Sequence, residues 1–256
     1  MAKRIESLKV IDNKLLKKDF VILSLESSNT LPEMKPGQFV QALVEGSRET
    51  FLRRPLSVHN VDYGNNQLKL LIQIVGKGTE SLSRLKNGDL LNLIYPLGNS
   101  FTLPGRKDSH TLMVGGGCGI APLLYLGRYL KSQGIIPDIL LGFRNRDRII
   151  EYNDYESVGR VFLTTEDGSA GEKGLVTNHS LLEKERYDKV YCCGPEMMMK
   201  AIAGWCKENN TDCEVSLENL MGCGIGVCLC CVVDTVKGHL CTCTDGPVFN
   251  IKELKW

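Results

Sequence analysis

A chain of 256 residues has room for two domains and a small additional module. Its 31 basic and 30 acidic residues leave a formal net charge of +1, which removes the electrostatic case for nucleic acid or an anionic membrane surface. No apolar run approaches the roughly 20 residues that cross a bilayer, and the opening stretch MAKRIESLKVIDNK has no apolar core of the signal-peptide kind, so a cytoplasmic protein is expected.

Residues 5–27 alternate apolar and polar side chains in two short runs, with Lys17, Lys18 and Asp19 between them. The stretches 37–44, 54–61 and 68–75 continue the alternation, broken by Pro36-Gly37 and by DYGNN at 62–66. Short strands at this spacing predict a small antiparallel barrel. Two places in it carry chemistry. Arg54, Pro55, Leu56 and Ser57 put a planar guanidinium suited to a phosphate close to a hydroxyl suited to a flavin ring. Gly76, Gly78 and Thr79 then lead into a short helical pattern, with Thr79 as its N-cap, and free N–H groups at a helix start favour an anion. Alone, each has an ordinary explanation, a solvated charge or a simple cap. Their order along the chain is what joins them.

Residues 110–134 read strand, glycine turn, helix. Leu112 to Val114 form the strand, Gly115, Gly116, Gly117 and Gly119 the turn, and Pro122 occupies an early helical position. Such glycines let backbone approach a pyrophosphate, although Ala121-Pro122 replaces the third glycine of the dinucleotide fingerprint. Strands at 138–143, 160–165 and 189–193 follow, then a helix at 196–208. The alternation predicts a parallel sheet covered on both faces, with a dinucleotide at the carboxyl ends of its strands. Cys193, Gly194 and Pro195 lie at one such end, and Cys193 is a candidate to touch the nicotinamide. Cys192 and Met197 to Met199 read as core. Arg144, Arg146 and Arg148 suit a 2′-phosphate, whereas Glu166 and Asp167 repel one and suit a ribose hydroxyl; the balance favours NAD.

The tail is dense in cysteine. Cys223, Cys228 and Cys231 form a C-x4-C-x2-C run, and Cys243 follows after eleven more residues. This is the plant-type spacing for a [2Fe–2S] cluster, and the interleaved Gly222, Gly224 and Gly226 allow backbone N–H groups to turn toward sulfur. Structural zinc is the alternative, but zinc sites gather two separated pairs of ligands. Cys230 and Cys241 compete for places and otherwise read as small core residues. An odd total of 11 cysteines argues for a cofactor over disulfides.

In order, RPLS, GKGT, GGGCGIAP and CCGPEMMM resemble the ferredoxin–NADP reductase superfamily, and the tail, VSLENLMGCGIGVCLCCVV with CTDGPVF, narrows this further. The whole chain resembles the electron-transfer subunits of bacterial NAD-dependent dihydroorotate dehydrogenases. The resemblance implies an antiparallel FAD-binding β-barrel over 1–103, a parallel-sheet nicotinamide-binding α/β domain over 104–214 and a [2Fe–2S] module over 215–256. It implies FAD at Arg54, Pro55, Leu56, Ser57, Leu71, Ile72 and Gln73, with Gly78 and Thr79 at its phosphates. It favours Cys243 over Cys241 as fourth cluster ligand, because Cys243 directly precedes TDGPVF. Leu56 stands where many members carry an aromatic residue, so flavin stacking there differs; Cys118 replaces a more usual apolar residue. The step from Cys231 to Cys243 is shorter than in plant ferredoxins.

The resemblance further implies a function. Electrons pass from the FMN of a separate catalytic subunit through the cluster and FAD to NAD+, in de novo pyrimidine (UMP) biosynthesis, within a heterotetramer of two chains of each kind. No general acid or base in this chain is required, and a (β/α)8 barrel for dihydroorotate, typically about 250 residues, has no room in it. Ile225, Val227, Leu229, Val248 and Phe249 are candidates to pack on that partner. The competing expectation is a nicotinamide-dependent reductase that feeds an oxygenase or a ferredoxin.

Overall fold

The alternating runs near the amino end become two long antiparallel strands, Arg4–Lys17 (β1) and Phe20–Glu26 (β2). The structure, a computed structural model, describes residues 3–46 and 49–256. Phe39–Ala42 (β3), Arg54–Asp62 (β4) and Gln67–Gln73 (β5) follow, then the short helix Lys77–Ser83 (α1) and strand Leu90–Leu97 (β6). The six strands close a barrel in the order β1-β2-β5-β4-β3-β6, with β6 pairing back onto β1. Its interior holds Leu8, Val10, Leu23, Leu25, Leu68, Leu70 and Leu93, all fully buried. Asp62 accepts hydrogen bonds from the backbone and side-chain N–H groups of Asn65 at 3.1 and 2.8 Å, which fixes the DYGNN turn.

Two details depart from the sequence reading. Strand β6 was not anticipated, because LLNLIYPL is apolar at nearly every position and its alternation shows only in burial, with Leu91, Leu93, Tyr95 and Leu97 inside. Thr79 is not the N-cap of α1. That position is Gly76, and Thr79 is the third helical residue, whose hydroxyl reaches back to accept from the N–H groups of Val75 and Gly76 at 3.0 and 3.2 Å.

The second half supplies strands Thr111–Gly116 (β7), Asp138–Phe143 (β8), Arg160–Thr165 (β9), Glu172–Lys173 (β10), Lys189–Cys193 (β11) and Asp212–Ser216 (β12). Helices Ala121–Ser132 (α2), Tyr152–Glu156 (α3), Leu181–Lys184 (α4) and Glu196–Glu208 (α5) lie among them. A hairpin of Val232–Thr235 (β13) and Gly238–Cys241 (β14) comes next, then Val248–Asn250 (β15). The sheet runs β10-β9-β8-β7-β11-β12-β15; its pairings are parallel except β12 with β15, which is antiparallel. Strands β8, β9 and β11 and helix α5 occupy the residues that periodicity indicates.

Helix α5 buries Met199, Ile202, Ala203 and Cys206, an i, i+3, i+4, i+7 stripe. Met197 falls off that stripe and is 76% exposed, and Met198 is half-buried, so only Met199 of the three fills the core. Val248 and Phe249 are also corrected: they pair with Ser216 and Val215 and are buried, hence unavailable to a partner. At the base of the sheet the buried Lys189 ammonium lies 2.6 Å from Asp212 and 3.1 Å from Glu214.

The chain divides into two units. One comprises residues 1–100, 219–233 and 239–247; the other comprises 101–218, 234–238 and 248–256. Among the described residues no helix is long and apolar enough to cross a membrane.

Candidate cofactor sites

In the barrel unit, the β3–β4 ladder sets Ala42, Gln41, Val40 and Phe39 opposite Arg54, Pro55, Leu56 and Ser57. Among the described residues the β4–β5 ladder runs only from Val58–Leu70 to Asp62–Gln67, while β2 pairs with β5 along its whole length to Gln73. Residues 54–57 and 71–73 therefore diverge, and their facing backbone edges lie beyond the ladder. A planar group with polar atoms on its rim fits such an opening, since backbone N–H and C=O groups there need partners. Leu71 and Ile72 have buried side chains, so backbone is what they can offer. A Cβ at Gly78 would stand 2.7 Å from Arg54 Nε and 3.2 Å from Thr50 Cγ2. The guanidinium thus rests on the first turn of α1, where a phosphate would meet charge and backbone N–H together. The residues present fit a flavin nucleotide.

In the sheet unit, β7 and β11 are neighbours, with β8 beyond one and β12 beyond the other. The order of connection reverses between them, which is where open α/β sheets bind ligands. The two glycine motifs meet there, although Gly115 and Gly116 are the last residues of β7 and only Gly117 and Gly119 lie in the turn. A Cβ at Gly119 would lie 2.4 Å from Gly194 Cα and 2.5 Å from the Cys193 carbonyl carbon, and one at Gly116 would strike Met198 Sδ at 2.6 Å. Gly117 adopts φ +57° and Gly194 φ +158°, which glycine tolerates. Pro122 sits in the first turn of α2, as expected. Cys192 and Cys193 are both buried. Burial, then the Glu218 carboxylate, pushes the Cys193 thiol well above its usual range, so it stays neutral. Glu218 was not singled out from the sequence; a lone acid after a strand gives no local signal.

The acidic pair after β9 is also organised. Asp167 accepts from the Ser169 N–H at 2.9 Å and hydroxyl at 2.6 Å, and these bonds, the hydroxyl first, hold its carboxyl below the ordinary aspartate range. The Ser169 hydroxyl in turn accepts from the Arg146 N–H at 2.8 Å.

The cysteine loop belongs to the barrel unit. Cys223 Sγ receives N–H groups from Ile225, Val227 and Cys228 at 3.4, 3.3 and 3.4 Å. The Ile225 donor above all, then those of Cys228 and Val227, lowers the Cys223 thiol to about 6. Cys228 Sγ accepts from the Cys223 N–H at 3.4 Å. Gly224 at φ +70° and Gly226 at φ +85° make the turns that aim these donors. Cys231 and Cys243 are buried with Phe39, Leu97 and Met221. Burial, then the Cys231 thiol beside it, pushes Cys243 up to about 12, and the Gly226 N–H pulls it back.

The sulfurs therefore stand as two pairs, Cys223 with Cys228 and Cys231 with Cys243. Two thiolates for each of two irons is the division a [2Fe–2S] cluster uses. Cys241 also neighbours Cys231; burial, then that thiol and the Asp245 carboxylate, raises its pKa, and its backbone N–H donates to Asp245 at 2.7 Å. Cys230 is exposed and Cys241 only partly buried, so neither is a core residue as expected. Asn99 fastens the segment after Cys243: its N–H donates to the Gly246 carbonyl at 2.6 Å and its side-chain amide to that of Asp245 at 2.8 Å.

A closed antiparallel barrel with a parallel sheet whose glycine turns meet at the switch point defines the ferredoxin–NADP reductase class of flavin- and nicotinamide-dependent oxidoreductases. A chain of an NADH-dependent reduced ferredoxin–NADP oxidoreductase, solved for insight into flavin-based electron bifurcation, superposes with TM-score 0.88 at 30% identity, covering 98% of this chain and 90% of that one. The Amycolatopsis cytochrome P450 reductase shares the fold at TM-score 0.70 and 22% identity, covering 81% of this chain and 66% of that one. Residues 7–101 match the oxidoreductase FAD-binding domain, and residues 218–255 match the iron-sulfur cluster binding domain of dihydroorotate dehydrogenase B. Over 96% of each chain, the sequence is 40% identical to the dihydroorotate dehydrogenase B (NAD(+)) electron transfer subunit of Caldanaerobacter subterraneus. It is 36% identical to that of Lysinibacillus sphaericus, again over 96% of each. The chain belongs to the family of dihydroorotate dehydrogenase B electron transfer subunits.

Proposed function

We propose that this chain is the electron-transfer partner of a separate FMN-bearing dihydroorotate dehydrogenase subunit. It carries electrons from that FMN through a [2Fe–2S] cluster and FAD to NAD+, in cytoplasmic pyrimidine biosynthesis, as part of a heterotetramer. A flavin exchanges one or two electrons, which lets it join a one-electron cluster to a two-electron nicotinamide; that chemistry belongs to the cofactors.

The chain's residues bind and orient. Cys223, Cys228, Cys231 and Cys243 hold the irons, and the N–H groups around Cys223 stabilise thiolate charge before and after metal entry. Arg54 and Gly78-Thr79 take the flavin phosphates, and the open edges of 54–57 and 71–73 take its ring. Gly115, Gly116, Gly117, Gly119 and Cys193 to Pro195 take the nicotinamide nucleotide. Residues 1–103, 104–214 and 215–256 carry FAD, nicotinamide and cluster in turn. The ionised Asp167 favours NAD over NADP. Ile225, Val227 and Leu229, which are 43%, 77% and 63% exposed, face the catalytic partner.

The observation that carries this reading is the fence of three N–H donors around Cys223 beside a second sulfur pair. Co-expression with the candidate catalytic subunit tests it: the two copurify, and dihydroorotate drives NAD+ reduction only in the complex. The similarity to the NADH-dependent ferredoxin–NADP oxidoreductase supports a second reading, a reductase that feeds ferredoxin. A chain that purifies alone and reduces ferredoxin with NADH decides for that one.

A further inference from the structure

We propose that Gln41 is a positioning residue for the cluster loop, its buried amide setting the polarity at the cluster and hence the one-electron equilibrium between cluster and flavin. This rests on the cluster reading above. Gln41 lies in the middle of β3 and is fully buried. Its register partners are Pro55 in the proposed flavin strand on one side and Ile94 of β6 on the other. A Cβ on Gly224 would stand 2.6 Å from Gln41 Cγ and 2.8 Å from its Nε2, so side chain and loop are in direct contact. Gly224 adjoins Cys223, and Met221 lies two residues before it. The same Nε2 donates to Met221 Sδ at 3.8 Å, a weak acceptor, and Oε1 has no hydrogen-bond partner among the described residues.

Such an amide is a poor space-filler. Its side-chain neighbour Met221 is apolar, and a methionine of similar length would pack there without leaving polar atoms unsatisfied. The nitrogen end is the end turned to the loop. N–H groups facing a cluster favour its reduced, more negative state and raise its potential. Gln41 therefore ties the loop to the strand beside the flavin and biases where a single electron rests. The step is transfer of one electron supplied by the partner's flavin; no bond forms or breaks, and Gln41 gives up no proton.

The test uses the full chain with its partner and two variants, Gln41→Met and Gln41→Glu. Iron and flavin content, the cluster's electron paramagnetic resonance spectrum and a redox titration are read for each. Both variants keep wild-type iron and flavin. In Gln41→Met the one-electron equilibrium moves about tenfold toward the flavin, which is 59 mV for a one-electron couple. In Gln41→Glu it moves further the same way, because a carboxylate replaces the donor. A Gln41→Met protein with wild-type spectrum and potential overturns the proposal and leaves Gln41 as filler. If Gln41→Met holds no iron, Gln41→Glu decides, and a wild-type potential in it overturns the proposal equally. A wild-type protein without iron removes the cluster reading itself, which separates the two failures.

Discussion

The two glycine-rich turns of this molecule are built in opposite ways. Where β7 and β11 end, Gly116, Gly119 and Gly194 are clasped by one another and by Met198 and Pro195, so the turn is shaped by close packing at the ends of the buried strands. In the cysteine loop the apolar side chains other than Met221 point outward: Leu220 is 87% exposed, Val227 77% and Leu229 63%. Leu229 even takes φ +56°, a conformation a branched side chain avoids. What organises that loop is N–H groups turned to sulfur, so its order depends on what the sulfurs grip. One turn precedes its ligand; the other is completed by it.

The sharpest way to break this contrast is Cys223→Ser. Complete loss of the cluster's visible absorption is expected, with protease cleavage appearing within 219–247 while the sheet stays intact; a loop that stays resistant contradicts the contrast. The reverse experiment is Lys189→Met, which takes the ammonium away from the buried Glu214 carboxylate and from Asp212 at the sheet base. It costs about 3–5 kcal/mol in denaturant unfolding, with the cluster spectrum unchanged at low denaturant. Gly119→Ala should cost about 1–3 kcal/mol, because its Cβ meets Gly194 backbone, and should weaken NADH binding at least tenfold by titration while leaving flavin content alone.

The smallest effect is a pH slope within the sheet unit. Burial lowers the His179 pKa, and its Nδ1 accepts the Leu181 N–H at 3.0 Å, which requires an unprotonated nitrogen. A depressed folded value means the contribution is present above the ordinary value of 6.5 and is lost as pH falls through the folded one. His179→Asn therefore flattens the fall in stability on the acid side of pH 6.5. An unchanged slope assigns that fall to other groups.

Much of this was legible in the sequence because period and burial coincide. Strands β8, β9 and β11 are short apolar runs, and α5 carries its stripe openly. Strand β6 was hidden because both of its faces are apolar, and β15 because three residues give no period. The candidate site residues stand out in the sequence as motifs, but the relations among them do not. That β4 and β5 part company at Val58, that Gly119 rests on Gly194, and that Gln41 presses on Gly224 are long-range facts without a local signal. Thr79 was misplaced for a related reason: a hydroxyl near a helix start serves equally from the cap or from the third residue.

The central claim is that the cysteine loop holds two irons in the flavin-bearing unit. Iron, acid-labile sulfide and flavin measured together on the intact, anaerobically purified protein test it most directly. The account predicts about two irons and two sulfides per chain alongside FAD. A folded, flavin-loaded protein with a single zinc and no sulfide would contradict it.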